Sequence, residues 1–569
     1  MTTTTAGRFF GHGEHAPLAL PEDLPDRVAG QVTARLLSPD FDAWTDTAAR
    51  VGHCTRPIRL HGSTTRHDTT TGEVVSTYSS ASEPLGATYV RCGNRRESVC
   101  PSCSRLYARD TFELIRAGVA GGKTVPALVG DNPLVFATLT APSFGHVHGT
   151  RTGGVRCRPR DKTARCAHGQ PIGCMNAHTP DDPRLGEPIC AECYDYEAHL
   201  VWQWWAPELW RRFTINLRRL VARRLGVTDS RLSEVATVQY AKVAEEQARG
   251  PMHFHALIRL DGPKTADGYA VAPECINAHD LAHLITAAVV AVTYAAEPVA
   301  EGDVERVLRF GVQVDTRPVT ARGRNDLDAL EGGGLCPEQV AGYLAKYATK
   351  SATQDLDQTS NHRVQLRSVA RDLAELADPT GPYALLGKWV HMLGFRGHFS
   401  SKSRRYSVTL GQLRRARQRF RSIVAQAERD GVPLDVADLE ARLMADDVED
   451  DTTLVISRWS YAGSGWDNDG DAALALAAAN RAREYDQWKP PHERQLTRQG
   501  ERTCEVMERL MLTVDEVAES LGIGKSAVYD LMRLRKLASV KIGRSRRVPV
   551  EALREYVIKA TAASEGVAA

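Results

Sequence analysis

Apolar and polar positions alternate along a short segment near the middle of the chain, Met252 to Leu260, with the sequence MHFHALIRL. An alternation with a period of two predicts a β-strand whose successive side chains point to opposite faces. His253, His255 and Leu257 then share one face. Residues spaced by two on a strand lie about 7 Å apart, which lets two imidazoles bind one divalent metal ion. The segment therefore predicts a strand that carries a histidine pair.

The segment before this strand predicts a second strand and a hairpin. Val235 to Gln247 has strand character, and ARGP provides the turn. A four-residue loop pairs Glu246 with His253, whereas a five-residue loop or a bulge brings Gln247 and then Glu245 to that face. A carboxylate beside two histidines would complete a site for a hard divalent ion. The sequence leaves the register open.

Helical spacing replaces alternation between Val340 and Lys350, in the sequence VAGYLAKYATK. Tyr343 and Tyr347 are four residues apart and share one helix face, and Lys346 and Lys350 repeat that spacing. A phenol, with a reference pKa of about 10, is a weak nucleophile at neutral pH. It can attack a DNA phosphodiester when a metal ion withdraws charge from the phosphate and a lysine stabilises the developing negative charge. The residue types present match this chemistry.

Nine of the twelve cysteines lie between Cys54 and Cys193, and they include two CxxC pairs. A CxxC pair has the spacing of a zinc knuckle, in which two thiolates reach one tetrahedral ion from a tight turn. We predict two structural zinc sites, since all ligands would be protein atoms. The predicted ligands of the first are Cys54, Cys92, Cys100 and Cys103, with His61 as an alternative to Cys54. Those of the second are Cys166, Cys174, Cys190 and Cys193, with Cys157 and His168 as substitutes.

Composition indicates the broad class of protein but not its function. The chain has 569 residues, 42% of them hydrophobic, and a mean hydropathy of -0.33, as expected of several globular domains. The most apolar stretch, Leu284 to Ala296, is shorter than the roughly 20 residues that a bilayer span needs. The N-terminus lacks the features of a secretory signal, so we expect a cytoplasmic protein with no membrane partner. Arg396 to Arg421 holds nine Lys or Arg and no acid, although the net charge is only +2.

The C-terminal part predicts a helix-turn-helix followed by a two-stranded wing. A capping box formed by Thr513 and Glu516 begins a first helix, and Lys525 to Leu534 predicts a second. Val540 to Ile542 and Arg546 to Val548 predict a hairpin. From the second helix to the hairpin there are eight basic residues and one acid. This charge pattern is typical of a surface that contacts DNA phosphates.

The order of these motifs resembles a known family. The apolar run LVFATLT, Leu134 to Thr140, predicts a buried central strand. Its TLT, followed by HFH and then YLAKYATK, is similar to rolling-circle replication initiators with two histidines flanking a hydrophobic residue, in their two-tyrosine subgroup. The phrases LGEPICAECYDYE, GHFSSKSRRYS and TTLVISRWSYAGSGW resemble initiators of actinobacterial plasmids and integrative conjugative elements. The resemblance covers roughly residues 45–490. The C-terminal part resembles the excisionase-type winged helix.

The resemblance implies an α+β fold, with an antiparallel-sheet nicking domain, flanking helices, zinc-binding insertions and a small C-terminal winged helix-turn-helix. It implies nicking of one strand at an origin, with a 5'-phosphotyrosyl intermediate and a 3'-hydroxyl primer. The expected partners are single-stranded DNA at the nick, duplex DNA at the origin, and a host polymerase and helicase. The expected catalytic residues are Tyr343, Tyr347, Lys346 and Lys350, with Mg²⁺ or Mn²⁺ held by His253, His255 and Glu245 or Glu246.

In excisionase-type modules the second helix enters the major groove, and the wing contacts the backbone or the minor groove. That resemblance nominates Lys525, Ser526, Tyr529 and Arg533 for the groove, and Lys541, Arg544, Arg546 and Arg547 for phosphates. The sequence does not show which of the two tyrosines attacks first. Two other functions remain as alternatives. One is a two-tyrosine transposase with the same site, and the other is a non-catalytic DNA-binding excisionase or transcription regulator.

The predicted organisation has six parts. They are a poorly ordered segment (1–45), a zinc-binding cysteine-rich region (46–130), a catalytic domain with a second zinc-binding insert at 150–200 (131–410), a helical part (411–488), a linker (489–508) and the winged helix-turn-helix (509–562).

Overall fold

The structure is a computed structural model with two compact units, Met1–Lys489 and Pro490–Ala569. It describes residues 20, 24–150, 157, 164–265, 269–319, 340–346, 360–431, 439–444, 453–488, 511–513, 517–518, 528, 531–533, 537–542, 545–549, 552 and 556. Several predicted positions lie outside the described residues, namely Tyr347, Lys350, Lys525, Ser526, Tyr529, Arg544 and the linker. Within the described ranges, no helix has both the length and the apolar character needed to cross a membrane.

Helices and antiparallel strands are both present, as predicted for an α+β protein. The strands are β1 (Ile58–Asp68), β2 (Val74–Ser79), β3 (Thr88–Val90), β4 (Leu134–Leu139), β5 (Thr237–Glu246), β6 (Met252–Asp261), β7 (Tyr294–Ala296), β8 (Arg306–Leu308), β9 (Val314–Pro318), β10 (Ser400–Lys402), β11 (Thr453–Ser464), β12 (Met511–Thr513), β13 (Val540–Ile542) and β14 (Ser545–Pro549). The α-helices are α1 (Asp26–Leu36), α2 (Phe41–Arg50), α3 (Pro101–Ala120), α4 (Tyr196–Arg224), α5 (Ala278–Val290), α6 (340–346), α7 (Asn361–Leu376), α8 (Leu410–Asp430), α9 (Leu439–Met444) and α10 (Asp469–Trp488).

A five-stranded antiparallel sheet forms the centre of the first unit, in the order β10-β5-β6-β4-β9. The alternation along β6 decides what each face contacts. Phe254 points to the face covered by α4, where its ring lies 5.7 Å from that of Trp210. Leu257 points to the opposite face, in a core shared with Ile115 of α3 and Leu344 of α6. The two histidines are in phase with Leu257, so they face the side on which α6 packs.

A second sheet joins the two ends of the first unit. β11 pairs with β1 from Ser464 opposite Ile58 to Thr453 opposite Asp68, and β2 and β3 also pair with β1. The prediction of a helical part at 411–488 is therefore wrong for this strand of twelve residues. Its β-branched and aromatic residues favour a strand once a partner strand is available, and that partner lies almost 400 residues away in sequence.

The prediction of a poorly ordered segment at 1–45 is also wrong from residue 26 onward. α1 buries Val28 and Val32, and it packs on α10. The Arg35 guanidinium, through Nε, donates to Asp471 Oδ1 at 2.8 Å, and that carboxylate is fully buried. The Thr-, Gly- and Pro-rich composition therefore ends before an amphipathic helix that needs a distant partner to bury its apolar face.

The second unit contains a three-stranded antiparallel sheet in the order β12-β14-β13. The β13–β14 hairpin lies where the sequence predicts it, with Lys541 on β13 and Arg546 and Arg547 on β14. β12 is a strand that the sequence analysis did not predict. Among the described residues, Val517, Val528, Met532, Leu537 and Val548 form the buried core of this unit, and the side chain of Arg533 is exposed.

Candidate active site

The β5–β6 hairpin decides which carboxylate faces the histidines. Its five-residue loop, 247–251, places Glu245 opposite His253 and Glu246 opposite Met252. Gly250 has a φ of +102°, in a region that favours glycine, and a Cβ at this position would lie 2.9 Å from the His199 ring. The structure therefore has the five-residue loop of the two alternatives, and Glu245 shares the histidine face.

Glu245, His253 and His255 converge on one point. Glu245 Oε2 lies 2.9 Å from His253 Nε2 and 3.0 Å from His255 Nε2. The three ligand atoms all lie within 4.8 Å of one another. Two imidazole nitrogens and a carboxylate oxygen fit a divalent cation, and three protein donors leave coordination positions for water and phosphate oxygens.

The pKa shifts of Glu245 and His255 suit metal binding. Burial disfavours charge on Glu245, but hydrogen bonding and charge from the two histidines outweigh it and lower the Glu245 pKa to about 2. Burial lowers the pKa of His255, partly offset by Glu245. A metal ion binds ionised carboxylates and neutral imidazoles. At neutral pH the carboxylate is therefore ionised, and His255 favours its neutral form.

The other ring nitrogens of the two histidines contact polar side chains. Thr138 Oγ1 lies 3.1 Å from His255 Nδ1, and Gln247 Nε2 lies 3.2 Å from His253 Nδ1. A hydroxyl oxygen that accepts from Nδ1–H orients a metal-ligating imidazole and leaves its Nε2 directed at the metal, as Thr138 can do for His255. The amide nitrogen of Gln247 instead donates to His253 Nδ1. The sequence analysis did not assign a role to Thr138. Its position opposite His255 depends on the β4–β6 register, which a single sequence does not give.

Glu246 does not belong to this group, so its prediction as a metal ligand is replaced by Glu245. Its side chain lies on the other face of β5, where Arg363 Nη2 is 2.6 Å from its Oε1. Burial raises the pKa of Glu246, while the charge of Arg363 acts in the opposite direction. The period of two separates the adjacent glutamates, so that one faces the histidines and the other forms a buried ion pair.

We expect Glu245→Gln and Glu246→Gln to have different consequences. Glu245→Gln removes a charged ligand and should weaken Mn²⁺ binding by about 10-fold to 100-fold, because a neutral amide is the weaker donor to a hard cation. Glu246→Gln should leave Mn²⁺ affinity unchanged and lower the free energy of unfolding by about 3 kcal/mol, because Arg363 keeps its charge without its partner. Calorimetric Mn²⁺ titration and urea unfolding measure the two effects. Equal losses of Mn²⁺ affinity would contradict this assignment.

Tyr343 lies beside the histidines. Its ring is 5.3 Å from that of His255, in an edge-on arrangement, and 5.7 Å from that of Phe136. The side chain is 40% exposed, so one edge packs on the site while the rest remains accessible. Lys346 follows three residues later on α6 and is exposed. The described residues thus bring one of the two predicted tyrosines and one of the two predicted lysines to the side of the sheet that carries the metal ligands.

The first cysteine cluster comes together as predicted from the sequence. Cys54, Cys92, Cys100 and Cys103 form one group, and the Sγ of Cys54 lies 3.7 Å from those of both Cys100 and Cys103. Four thiolates on one tetrahedral zinc ion are about 3.8 Å apart, given a Zn–S bond of about 2.3 Å. His61 lies on β1, outside this group. The cluster could bind a metal such as zinc.

The second cluster differs from its predicted composition by one ligand. Cys166, His168, Cys190 and Cys193 form the group, with His168 Nδ1 3.2 Å from Cys193 Sγ. A tight turn, in which Gly169 N–H donates to the Cys166 carbonyl, keeps His168 beside Cys166. Cys174 does not belong to this group and lies instead with His148 and His178. This cluster could also bind a metal such as zinc.

Comparisons with known proteins follow the two-unit division. Residues 40–480 match the family described as Replication initiator protein, pSAM2, and residues 511–560 match the helix-turn-helix domain family. A replication initiator protein of Streptomyces ambofaciens is 41% identical over 476 residues, which cover 81% of this chain and 95% of that protein. An excisionase of Streptomyces ambofaciens is 53% identical over 47 residues, covering 8% of this chain and 76% of that protein. A probable excisionase of Saccharopolyspora erythraea is 41% identical over 51 residues, covering 9% and 52%. No solved structure matches the chain.

Proposed function

Because this chain belongs to the family described as Replication initiator protein, pSAM2, we propose that it nicks one DNA strand at the origin of a mobile element to start rolling-circle replication. Its residues 511–560 match the helix-turn-helix domain family, and this part of the chain is similar to an excisionase. The observation that carries the proposal is the convergence of Glu245, His253 and His255 beside the Tyr343 ring. A phenol beside a divalent-cation site is the arrangement that phosphodiester attack by tyrosine requires.

In the proposed reaction, Glu245, His253 and His255 would hold Mg²⁺ or Mn²⁺, which would supply withdrawal of negative charge from the scissile phosphate. Tyr343 loses its phenolic proton to solvent, and its oxygen attacks the phosphorus. A 5'-phosphotyrosyl bond forms as the bond to the 3' oxygen breaks, and this oxygen takes up a proton to become the 3'-hydroxyl primer. Lys346 stabilises the charge that develops on the phosphoryl oxygens.

The covalent intermediate keeps the phosphodiester bond energy for rejoining. A second tyrosine could cleave the displaced strand after one round of synthesis, and Tyr347, with Lys350, is our candidate for this step. A host polymerase would extend the 3'-hydroxyl, and a host helicase would separate the strands. In this proposal the two cysteine clusters hold structural zinc, since protein atoms fill all four ligand positions of each.

The test of the proposed function is a nicking assay on labelled single strands tiled across the DNA that encodes this chain, with Mn²⁺ present. We expect a covalent protein–DNA adduct that survives denaturation, together with a 3' end that a polymerase extends. The absence of an adduct across the whole tiled region, with duplex binding retained, would favour a non-catalytic DNA-binding regulator. Cleavage at two element ends, followed by joining to unrelated DNA, would favour a transposase.

We propose that the C-terminal domain anchors the enzyme on duplex origin DNA, with Lys525, Ser526, Tyr529 and Arg533 in the major groove and Lys541, Arg544, Arg546 and Arg547 on phosphates. Replacing Lys541, Arg546 and Arg547 together with alanine should weaken duplex binding. It should also reduce the slope of log K against log salt by about one for each phosphate contact removed. Fluorescence anisotropy at several salt concentrations measures both changes.

Nicking of a single-stranded origin oligonucleotide serves as the internal control for this triple variant, because that reaction uses residues of the first unit. We expect its rate to stay at the wild-type level. An unchanged salt slope would contradict the phosphate contacts and indicate that the C-terminal domain binds another protein.

A further inference from the structure

A third group of metal-ligating side chains lies in the insert between β4 and α4, separate from the two cysteine clusters that the structure forms. It consists of His148, Cys174 and His178, whose ligand atoms all lie within 4.8 Å of one another. His178 Nε2 is 3.1 Å from His148 Nδ1 and 3.3 Å from Cys174 Sγ. Nitrogen and sulfur ligands of one tetrahedral zinc ion are about 3.3 to 3.6 Å apart, given bonds of about 2.0 and 2.3 Å. The group therefore has almost the spacing that zinc imposes.

The hydrogen bonds around His178 prepare it for this role. Its Nδ1 lies 2.7 Å from Asp182 Oδ2, and Arg184 Nη2 donates to the same oxygen at 2.9 Å. The Asp182 carboxylate accepts a hydrogen bond from His178 Nδ1–H, which leaves the Nε2 lone pair directed at the other two ligands. This carboxylate–histidine pairing is a common outer contact of zinc sites.

Cys157 is the candidate for the fourth ligand. Its side chain is 3% exposed, and its Sγ lies 4.0 Å from the carbonyl oxygen of Val147, the residue before His148. Its N–H donates to the Asn176 carbonyl at 2.8 Å, between Cys174 and His178 in sequence. These contacts place the buried thiol beside the segments that carry His148, Cys174 and His178. A Cys₂His₂ set closes a tetrahedral site and leaves no open position for a substrate.

We propose that the insert binds two zinc ions, one through Cys166, His168, Cys190 and Cys193 and a second through His148, Cys157, Cys174 and His178. The chain then holds three structural zinc ions. The second ion in the insert joins segments on both sides of residues 158–163, and it gives a role to His148 and His178, for which the first two clusters have no place.

This third site lies close to the catalytic hairpin. The His148 carbonyl accepts from the N–H of Gly186, and a Cβ on Gly186 would lie 2.3 Å from the carbonyl oxygen of Ala248, in the β5–β6 loop. The same loop contains Arg249, whose guanidinium donates to the carbonyls of Ala141 and Pro142. Zinc at His148 would therefore hold in place the segment on which the hairpin loop rests. This positioning role rests on the proposed nicking function, whereas zinc binding itself does not.

The test counts zinc in the purified full chain by elemental analysis. The Glu245, His253 and His255 group could itself take up zinc, so the count is made in the His255→Ala variant, where we expect three zinc ions per chain. Adding Cys174→Ser or His178→Ala should reduce the count to two. Cys275→Ser is the matched control, because this exposed cysteine belongs to none of the four metal-ligating groups, and the count should stay at three.

Alkylation of the wild-type protein provides a second measurement that does not depend on how the variants fold. Zinc should protect Cys174 from iodoacetamide, and a chelator should make it reactive, while Cys275 reacts in both states. Two zinc ions in His255→Ala, or a Cys174 that is alkylated equally with and without chelator, would overturn the third site. Neither readout uses nicking, so failure of this inference and failure of the proposed function are distinguishable.

Discussion

Replacing His255 with alanine is expected to lower the rate of covalent adduct formation by about 10³-fold, the largest loss we expect from any metal ligand. The variant loses one of three converging donors, and the scissile phosphate then keeps negative charge that repels the incoming phenolate. Such a loss corresponds to about 4 kcal/mol of transition-state stabilisation. Single-turnover nicking of the origin oligonucleotide across a range of Mn²⁺ concentrations measures it.

Two further variants separate metal binding from general damage. Thr138→Val removes the contact at His255 Nδ1 but keeps the ligand, so it should weaken Mn²⁺ binding by about 10-fold to 100-fold and recover its rate at high Mn²⁺. His279→Ala changes an exposed histidine on α5 and should leave the rate unchanged. Wild-type adduct formation by His255→Ala, or a Thr138→Val defect that high Mn²⁺ does not relieve, would count against the metal site.

The alternation in MHFHALIRL was enough to predict the histidine face, because a period of two leaves each strand residue only two directions. The same argument could not choose between Glu245 and Glu246. That choice depends on one residue of loop length, and the loop is held by contacts with distant segments. His362 Nε2 lies 2.9 Å from the Arg249 carbonyl oxygen, and Gly250 allows a close approach to His199. These contacts join segments that are distant in sequence, so local sequence patterns do not predict them.

Ligand choice in the insert follows the same logic. The sequence analysis preferred Cys174 to His168 as a partner of the Cys190 and Cys193 pair, although spacing could not decide between them. The structure instead brings His168 to that pair, through a turn of four residues, and directs Cys174 towards His178. Sequence spacing can show that a region contains ligands for metal ions. Which ligands share one ion depends on the tertiary arrangement of the loops.

Long-range strand pairing is the part of the fold that the sequence predicts least well. β11 has a strong strand pattern, yet its partner β1 lies in the cysteine-rich region at the other end of the first unit. Without knowledge of that partner, the segment was grouped with the neighbouring helices. The pairing means that the cysteine-rich region and the last part of the first unit form one structural body, which the predicted linear order of domains had separated.

Replacing Tyr343 with phenylalanine is expected to remove the covalent adduct, with a loss of at least about 10⁴-fold in rate, because no other atom of that side chain can act as the nucleophile. The change deletes only the hydroxyl. The ring contacts with His255 and Phe136 are edge-on contacts between rings, which phenylalanine retains, so the melting temperature should stay within about 1 °C of the wild type. Denaturing gel analysis of the adduct and a thermal unfolding scan measure the two effects.

The matched variant is Tyr347→Phe, four residues further along the chain. If Tyr343 opens the origin, Tyr347→Phe still forms the first adduct at the wild-type rate and fails only in the second strand transfer, which closes the displaced strand into a circle. A circular single-stranded product therefore requires both phenols, whereas the first nick requires one. Adduct formation that persists in Tyr343→Phe and disappears in Tyr347→Phe would reverse the order of the two tyrosines. Tyr343 would then pack against His255 without forming the first covalent bond to DNA.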